Sequence, residues 1–159
     1  MIVVTGGAGF IGSNVVAHLD GTTNADIVVS DWMDDAKASN IAAHRVREIV
    51  SPDRIIEFLS DSAKDVETVI HMGANSSTTD PDIDLVFHYN LDHSVLLWDW
   101  CTANRRPLIY ASSAATYGDG ALGFEDGQSR EFLKTLRPLN AYGYSKHLFD
   151  LWALRQGVT

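Results

Sequence analysis

Short apolar runs and longer amphipathic stretches alternate along the chain. A continuous run of β-branched residues is typical of a strand that is covered on both faces, and the chain opens with such a run. The pattern predicts five strands, at residues 2–5, 27–30, 46–50, 68–71 and 107–111. It predicts four helices, at residues 10–19, 52–59, 84–104 and 140–155. The third strand is the least marked, because residues 40–50 fit more than one kind of element.

Because strand and helix alternate, consecutive strands should pair in parallel through right-handed crossovers. We therefore expect an α/β fold with a doubly wound, Rossmann-like parallel sheet, formed by one domain over residues 1–159. Ligands bind such a sheet outside the carboxyl ends of its strands. Candidate functional residues should therefore follow Thr5, Ser30, His71 and Ala111.

Charge and cysteine content narrow the possible functions. The 159-residue chain has a formal net charge of -9, so its surface should repel nucleic acid and anionic membranes. Local backbone amides and a few cations would have to hold any anionic ligand. Cys101 is the only cysteine, which excludes an intramolecular disulfide and fits a reducing cytoplasm. The sequence shows no signal peptide and no transmembrane span, and we expect a cytoplasmic protein.

A glycine-rich turn follows the first predicted strand. Gly7, Gly9 and Gly12 fit the spacing of a dinucleotide-binding fingerprint, and Gly6, Gly9 and Gly12 fit its wider-spaced variant. Glycine permits the tight turn and lets the backbone approach a pyrophosphate. The first turn of the following helix offers free N–H groups and a partial positive charge to the phosphates. Because this turn joins an apolar strand to a helix, it predicts an NAD(P)-binding domain.

The end of the second strand bears on the choice of cofactor. Asp31 lies where a carboxylate usually accepts hydrogen bonds from the adenosine ribose, which favours NAD. Lys37 and Arg54 lie downstream and could contact the 2′-phosphate of NADP. These residues alone leave the choice between NAD and NADP open.

A second group of residues predicts proton transfer. Tyr142 and Lys146 are four residues apart in the last predicted helix and therefore share one face. A nearby ammonium favours the phenolate, so the tyrosine can take or give a proton. Ser113 follows the fifth strand and supplies a hydroxyl donor. Together they predict hydride transfer between a nicotinamide and an alcohol or carbonyl carbon. Tyr144 is the competing proton carrier, but its spacing from Lys146 directs it to another face.

These features together resemble the extended short-chain dehydrogenase/reductase family. Four stretches are similar, more narrowly, to the ADP-L-glycero-D-manno-heptose 6-epimerases, and they are residues 5–14, 71–79, 110–118 and 138–146. The first and last stretches are shared widely among sugar-nucleotide epimerases and dehydratases. The run from Ser76 to Thr79 and the Tyr-Gly-Tyr-Ser-Lys sequence are more particular to the heptose epimerases.

The resemblance implies an NADP-preferring, cofactor-retaining isomerase that acts on ADP-heptose in the supply of lipopolysaccharide core sugars. C6 of the heptose would be oxidised to a ketone and then reduced again on the opposite face. Ser113, Tyr142 and Lys146 would form the active site. By position, the resemblance implies cofactor contacts from Gly6, Gly9, Phe10, Ile11, Gly12, Asp31, Trp32, Lys37, Met72, Gly73, Ala74, Asn75, Ser76, Asn90, Tyr142 and Lys146.

Two departures from the family pattern concern the cofactor and the length of the chain. Trp32 stands where a small polar residue is usual, and the loop to Lys37 is one residue shorter, which keeps NAD as the alternative to NADP. The resemblance covers about half of the family's usual length, and the chain stops after a helix without the next strand. We therefore expect the C-terminal strands, the substrate domain and the family's second acid/base lysine to be missing, and the chain alone to be inactive. The full-length protein should be a homo-oligomer.

Other interpretations follow from the same residues. The alternatives are another sugar-nucleotide epimerase or 4,6-dehydratase of the extended family, and a non-catalytic dinucleotide-binding fragment. The histidines show no spacing typical of metal ligands, so no metal site is predicted; they are His18, His44, His71, His88, His93 and His147. Three tryptophans on the long helices should pack in the core or between subunits, and they are Trp98, Trp100 and Trp152.

Overall fold

The computed structural model describes residues 1–127 and 129–157. It contains a parallel five-stranded sheet with the strand order β3-β2-β1-β4-β5. The strands are β1 Ile2–Thr5, β2 Ile27–Ser30, β3 Val46–Val50, β4 Thr68–His71 and β5 Leu108–Tyr110. Strand order reverses next to β1, which is the arrangement of a doubly wound, Rossmann-like sheet. The predicted fold class is confirmed.

Helices connect the strands and continue beyond the last one. They are α1 Phe10–Thr22, α2 Asp35–Ile41, α3 Ile55–Asp61, α4 Ile83–Phe87, α5 His93–Ala103, α6 Arg130–Leu133 and α7 Ala141–Gln156. Two short 3₁₀ helices cover Pro52–Arg54 and Ala114–Tyr117, and a π-helical turn covers His88–Asp92.

The predicted elements differ from the observed ones mainly where local caps determine the structure. The helix predicted over residues 84–104 is confirmed as one helical stretch from Ile83 to Ala103, but a π-helical turn that was not predicted lies between α4 and α5. Helix α2 was not predicted. Its N-cap is Asp34, whose Oδ1 accepts the Lys37 N–H at 2.8 Å. The single-turn α6 begins in the same way at Ser129, whose hydroxyl accepts the Phe132 N–H. Such short capped helices lack the apolar period that sequence analysis relies on.

The sheet buries side chains on both of its faces. All four residues of β1 are buried, as are all four of β2. Since side chains alternate along a strand, Val3 joins one core cluster while Ile2 and Val4 join the other. The first cluster also contains the buried thiol Cys101, whose pKa is raised to about 11 by burial. The second cluster includes Val16 of α1 and Ile41 of α2. This two-sided burial explains why β1 and β2 are continuous apolar runs.

The chain divides into two compact units. Unit 1 comprises Met1–Gly73 and Leu96–Ala111 and contains the whole sheet. Unit 2 comprises Ala74–Val95 and the described residues from Ser112 onward. Unit 1 therefore carries the glycine-rich turn and Asp31, whereas unit 2 carries Ser113, Tyr142 and Lys146. The single domain expected over residues 1–159 stays a prediction.

Candidate functional site

The glycine-rich turn in unit 1 is held tightly against the end of the sheet. Gly6 has a φ of +65°, a backbone conformation that side chains other than glycine rarely adopt. Its N–H donates to the Ser30 carbonyl at 2.7 Å. A Cβ on Gly6 would lie 2.6 Å from the backbone nitrogen of Gly73. Both the conformation and the close approach therefore require glycine at this position.

Helix α1 begins directly after this turn. Gly9 is its N-cap and contributes no side-chain hydrogen bond. A Cβ on Gly12 would overlap the carbonyl oxygen of Gly6, so glycine lets the helix begin close to the turn. Phe10 and Ile11 in the first helical turn are 87% and 66% exposed. The surface presented here consists of backbone groups bordered by two apolar side chains, which suits the phosphates of a dinucleotide.

Asp31 is a buried carboxylate that is joined to the same turn. Its Oδ2 accepts the Ala8 N–H at 3.0 Å, and its Oδ1 accepts from the Lys37 Nζ at 2.7 Å. Asn40 also donates to the Ala8 carbonyl, at 2.9 Å. The structure thus brings Asp31, Lys37 and the turn together, while the indole of Trp32 lies partly in solvent. Lys37 is occupied by an ion pair with Asp31, which sequence analysis did not predict.

The ends of β1 and β4 are joined by side chains that sequence analysis did not single out. Thr5 and His71 are register partners, and the Thr5 Oγ1 lies 2.5 Å from the His71 Nδ1. The same hydroxyl oxygen accepts the Gly73 N–H at 3.2 Å. This contact fixes the start of the loop that contains Met72 and Gly73. The matching positions at the ends of two adjacent predicted strands would have revealed the pair.

In unit 2, α7 carries the predicted proton-transfer residues. Its N-cap is Asn140, whose Oδ1 accepts the Gly143 N–H at 2.8 Å. Tyr142 is half-buried, and Lys146 is only 2% exposed. Burial lowers the pKa of the Lys146 ammonium, and the negative charge of Asp150 opposes that shift. Tyr144 is 42% exposed and therefore faces away from the buried Lys146.

Ser113 lies at the start of the 3₁₀ helix Ala114–Tyr117. Its Oγ accepts the Ala115 N–H at 3.1 Å, and its carbonyl accepts from the Thr116 hydroxyl at 2.7 Å. A serine oxygen that accepts one hydrogen bond still has its own O–H to donate. Ser113 can therefore donate to an oxygen atom of a bound substrate.

Gly143 allows α7 to pack closely against the segment that follows Ser113. A Cβ on Gly143 would lie 2.8 Å from the Ala115 carbonyl oxygen and 3.0 Å from the Pro138 Cβ. Helix α7 and this 3₁₀ helix are therefore in backbone contact, with Tyr142 and Ser113 each next to the contact. Sequence analysis did not assign a role to Gly143, although it belongs to the Tyr-Gly-Tyr-Ser-Lys sequence.

Asn90 in the π-helical turn connects the loop after β4 to α7. Its Oδ1 accepts the Asn75 N–H at 2.7 Å, and its Nδ2 donates to the Asn75 carbonyl and to the Ser145 Oγ, both at 2.9 Å. Ser145 in turn donates to the Tyr142 carbonyl at 2.7 Å. The Asn90 side chain is fully buried and uses both of its N–H groups. Its contribution is therefore to hold the Asn75 loop against the helix that carries Tyr142.

Replacing Asn90 by Ala should destabilise the chain by about 2–4 kcal/mol, because it leaves the partly buried backbone groups of Asn75 and the buried Ser145 hydroxyl without this hydrogen-bond partner. Urea denaturation followed by far-UV circular dichroism measures the change. Asn24 is exposed, and replacing it by Ala should change the stability by less than about 0.5 kcal/mol. Equal effects of the two substitutions would contradict the structural role given to Asn90.

Within residues 1–127 and 129–157, no three histidine, cysteine or acidic side chains are grouped so that they could bind a metal ion. In the same part of the chain, no helix has both the length and the apolarity needed to span a bilayer.

Comparison with known proteins gives three consistent matches. Residues 2–157 match the NAD dependent epimerase/dehydratase family. The chain is 44% identical over 159 residues to the ADP-L-glycero-D-manno-heptose-6-epimerase of Fusobacterium nucleatum, covering 98% of this chain and 48% of that protein. The crystal structure of the Helicobacter pylori ADP-L-glycero-D-manno-heptose-6-epimerase superposes with a TM-score of 0.82 at 28% identity, over 98% of this chain and 50% of that one.

The structure of the Brucella ovis UDP-glucose 4-epimerase in complex with NAD is also similar, with a TM-score of 0.70 at 27% identity. The superposition covers 98% of this chain and 46% of the Brucella ovis chain. The chain thus spans about half the length of the curated relatives that it matches.

Proposed function

Because the chain belongs to the NAD dependent epimerase/dehydratase family, we propose that it forms the cofactor-binding and proton-transfer part of an NADP-dependent ADP-glycero-manno-heptose 6-epimerase. The substrate would be ADP-heptose, and the reaction would invert C6 by transient oxidation and reduction. The observation that carries this proposal is the identity with the Fusobacterium nucleatum heptose epimerase along nearly the whole chain. The resemblance of residues 71–79 and 138–146 to that group of enzymes supports the same substrate.

The residues of unit 1 suit a nicotinamide dinucleotide. Cβ atoms at Gly6 and Gly12 would collide with neighbouring backbone, so the turn and the start of α1 present bare peptide groups, as pyrophosphate binding requires. The buried Asp31 carboxylate lies beside this turn. We propose that the pyrophosphate binds at the first turn of α1, bordered by Phe10 and Ile11, and that Asp31 accepts from the adenosine ribose.

The preference for NADP rests on Lys37. Its ammonium is partly exposed and already paired with Asp31, so a 2′-phosphate would compete with that carboxylate for the same cation. Fluorescence titration of the protein with NADPH and NADH measures the preference directly. Tighter binding of NADPH, lost in Lys37→Met, supports the assignment; tighter binding of NADH contradicts it.

Proton transfer would be the task of unit 2. A bound nicotinamide would supply reversible hydride transfer at the substrate carbon. The Tyr142 phenolate would take the proton of the substrate hydroxyl during oxidation and give it back during reduction. The Lys146 ammonium would stabilise that phenolate, and the Ser113 O–H would donate to the reacting oxygen.

The proposal is tested with the longest natural form of the protein and purified ADP-D-glycero-D-manno-heptose. NMR spectroscopy of the sugar should show conversion to the C6 epimer without added reductant. In a parallel thermal-denaturation experiment, ADP-heptose should raise the unfolding temperature more than UDP-glucose does. Protection by UDP-glucose and not by ADP-heptose would contradict the heptose substrate. It would favour the alternative, another sugar-nucleotide epimerase or dehydratase.

A further inference from the structure

Lys146 is a buried cation that lacks a direct counter-ion. It is only 2% exposed, and among the residues that the structure describes no carboxylate lies within ion-pair distance of its ammonium. Removing an ammonium from water without a partner is costly, and such a group tends to lose its proton. A charge nearby is therefore needed if Lys146 is to act as a cation.

Asp150 is placed to supply that charge. It follows Lys146 by four residues in α7, so the two side chains lie on one face of the helix, one turn apart. Its carboxylate is held in position by a hydrogen bond, because the Ser112 hydroxyl donates to its Oδ2 at 2.6 Å. Ser112 immediately precedes Ser113. The hydrogen bond thus fixes the position of the carboxylate relative to the segment that carries the proposed substrate-binding hydroxyl.

We propose that Asp150 is a positioning residue for Lys146, and that its carboxylate, anchored by Ser112, keeps the buried Lys146 side chain in its charged form. The inference rests on the proposed function, because that function gives the Lys146 ammonium its role beside Tyr142. It adds Ser112 and Asp150 to the residues on which proton transfer depends.

The electrostatics of the neighbouring groups agree with this geometry. Burial is the largest influence on the pKa of Lys146 and lowers it, while Asp150 raises it. The buried His147 behaves in the same way, because burial lowers its pKa and Asp150 raises it; Arg137 adds a further lowering. The carboxylate therefore acts on both titratable groups that follow Ser145.

Other charged or titratable groups contribute less to Lys146. Those on the elements packed against α7 are Asp84, His88, Tyr89, Asp92, Tyr117, Arg130 and Glu131. None of them is a cause of the shift in the pKa of Lys146. Tyr142 precedes Asp150 by eight residues, about 12 Å along the helix axis, so the carboxylate favours the ammonium more than it disfavours the phenolate.

The test is a pH titration of the lysine side chains in the 159-residue chain. The chain has four lysines, and ¹³C labelling at Cε gives one NMR signal for each. The signal absent from Lys146→Arg identifies Lys146. In Asp150→Asn, which keeps an oxygen for the Ser112 hydroxyl but removes the charge, we expect the pH midpoint of Lys146 to fall. The midpoint of the His147 ring signals should fall as well.

Two variants serve as controls. Asp150→Glu keeps the charge and should retain a midpoint near that of the wild type. Asp99 is exposed on α5, and Asp99→Asn removes the same charge from the chain without changing the Lys146 midpoint. If Asp150→Asn does not fold, Ser112→Ala takes its place, and loss of the anchor should also lower the midpoint.

An unchanged Lys146 midpoint in a folded Asp150→Asn chain overturns the inference, as does an equal shift in Asp99→Asn. Because the titration uses neither substrate nor cofactor, this failure would leave the epimerase proposal untouched. Failure of the ADP-heptose assay would, in turn, leave the effect of the Asp150 charge on Lys146 intact.

Discussion

Replacing Tyr142 by Phe should lower the turnover of ADP-heptose by about 10²–10⁴-fold, the usual contribution of a positioned acid–base group. The substitution removes only the hydroxyl that would exchange a proton with the substrate. The half-buried ring would still pack beside Gly143. NADPH binding, measured by fluorescence titration, should therefore stay within about twofold of the wild type, while the rate of epimerisation falls.

Tyr144 offers a matched control for this experiment. It lies two residues further along α7 but is exposed, so Tyr144→Phe should leave turnover within about twofold. If Tyr142→Phe retained full turnover and Tyr144→Phe did not, Tyr144 would be the proton carrier in place of Tyr142. If neither substitution affected turnover, the proposed proton transfer through α7 would be wrong.

The second large effect is expected at the glycine-rich turn. Gly6→Ala should destabilise the chain by about 2–4 kcal/mol, because alanine is strained at a φ of +65° and its Cβ would collide with the Gly73 backbone. The neighbouring backbone cannot move aside as a flexible side chain would. The displaced turn should also bind NADPH more than tenfold more weakly. Urea denaturation and fluorescence titration measure the two effects.

Gly21 provides the opposite case within the same part of the chain. It lies in α1, and a Cβ built on it would meet nothing within 4 Å. Gly21→Ala should therefore stabilise the chain by up to about 1 kcal/mol and leave NADPH binding unchanged. A destabilisation of the same size at Gly6 and Gly21 would mean that the turn does not hold the conformation described above.

The sheet could be predicted from the sequence because a strand that is buried on both faces consists of consecutive apolar residues. Val3 and Val4 lie on opposite faces of β1, and both are fully buried, so apolar residues follow one another from Ile2 to Val4. The glycine spacing likewise predicted the turn, since geometry leaves no other residue type at Gly6. Elements that depend on a single capping side chain were not predicted. Helix α2 depends on the Asp34 cap, which has no counterpart in an apolar period.

In the candidate site, too, local spacing could be predicted from the sequence, whereas contacts between side chains could not. Spacing alone places Tyr142 and Lys146 on one face of a helix. It gives no information about the partners that folding brings together, such as Lys37 with Asp31 across a turn, or Asn90 with Ser145 in a distant helix. Whether Lys37 is free to meet a phosphate, and whether Asn90 is exposed, depends on tertiary packing. The sequence therefore predicted candidate residues but not their partners.

The π-helical turn around Asn90 also determines which changes of sequence this part of the chain can accommodate. A π-helical turn accommodates one residue more than an α-helical turn, and each residue of an α-helix rotates the chain by about 100°. Loss of one residue from His88–Asp92 would restore a continuous α-helix and rotate either Asn90 or the start of α5 by that angle. Point substitutions on the outer side of this segment, by contrast, leave its phase unchanged. Substitutions on this surface should therefore be tolerated more readily than a change in the number of residues between α4 and α5.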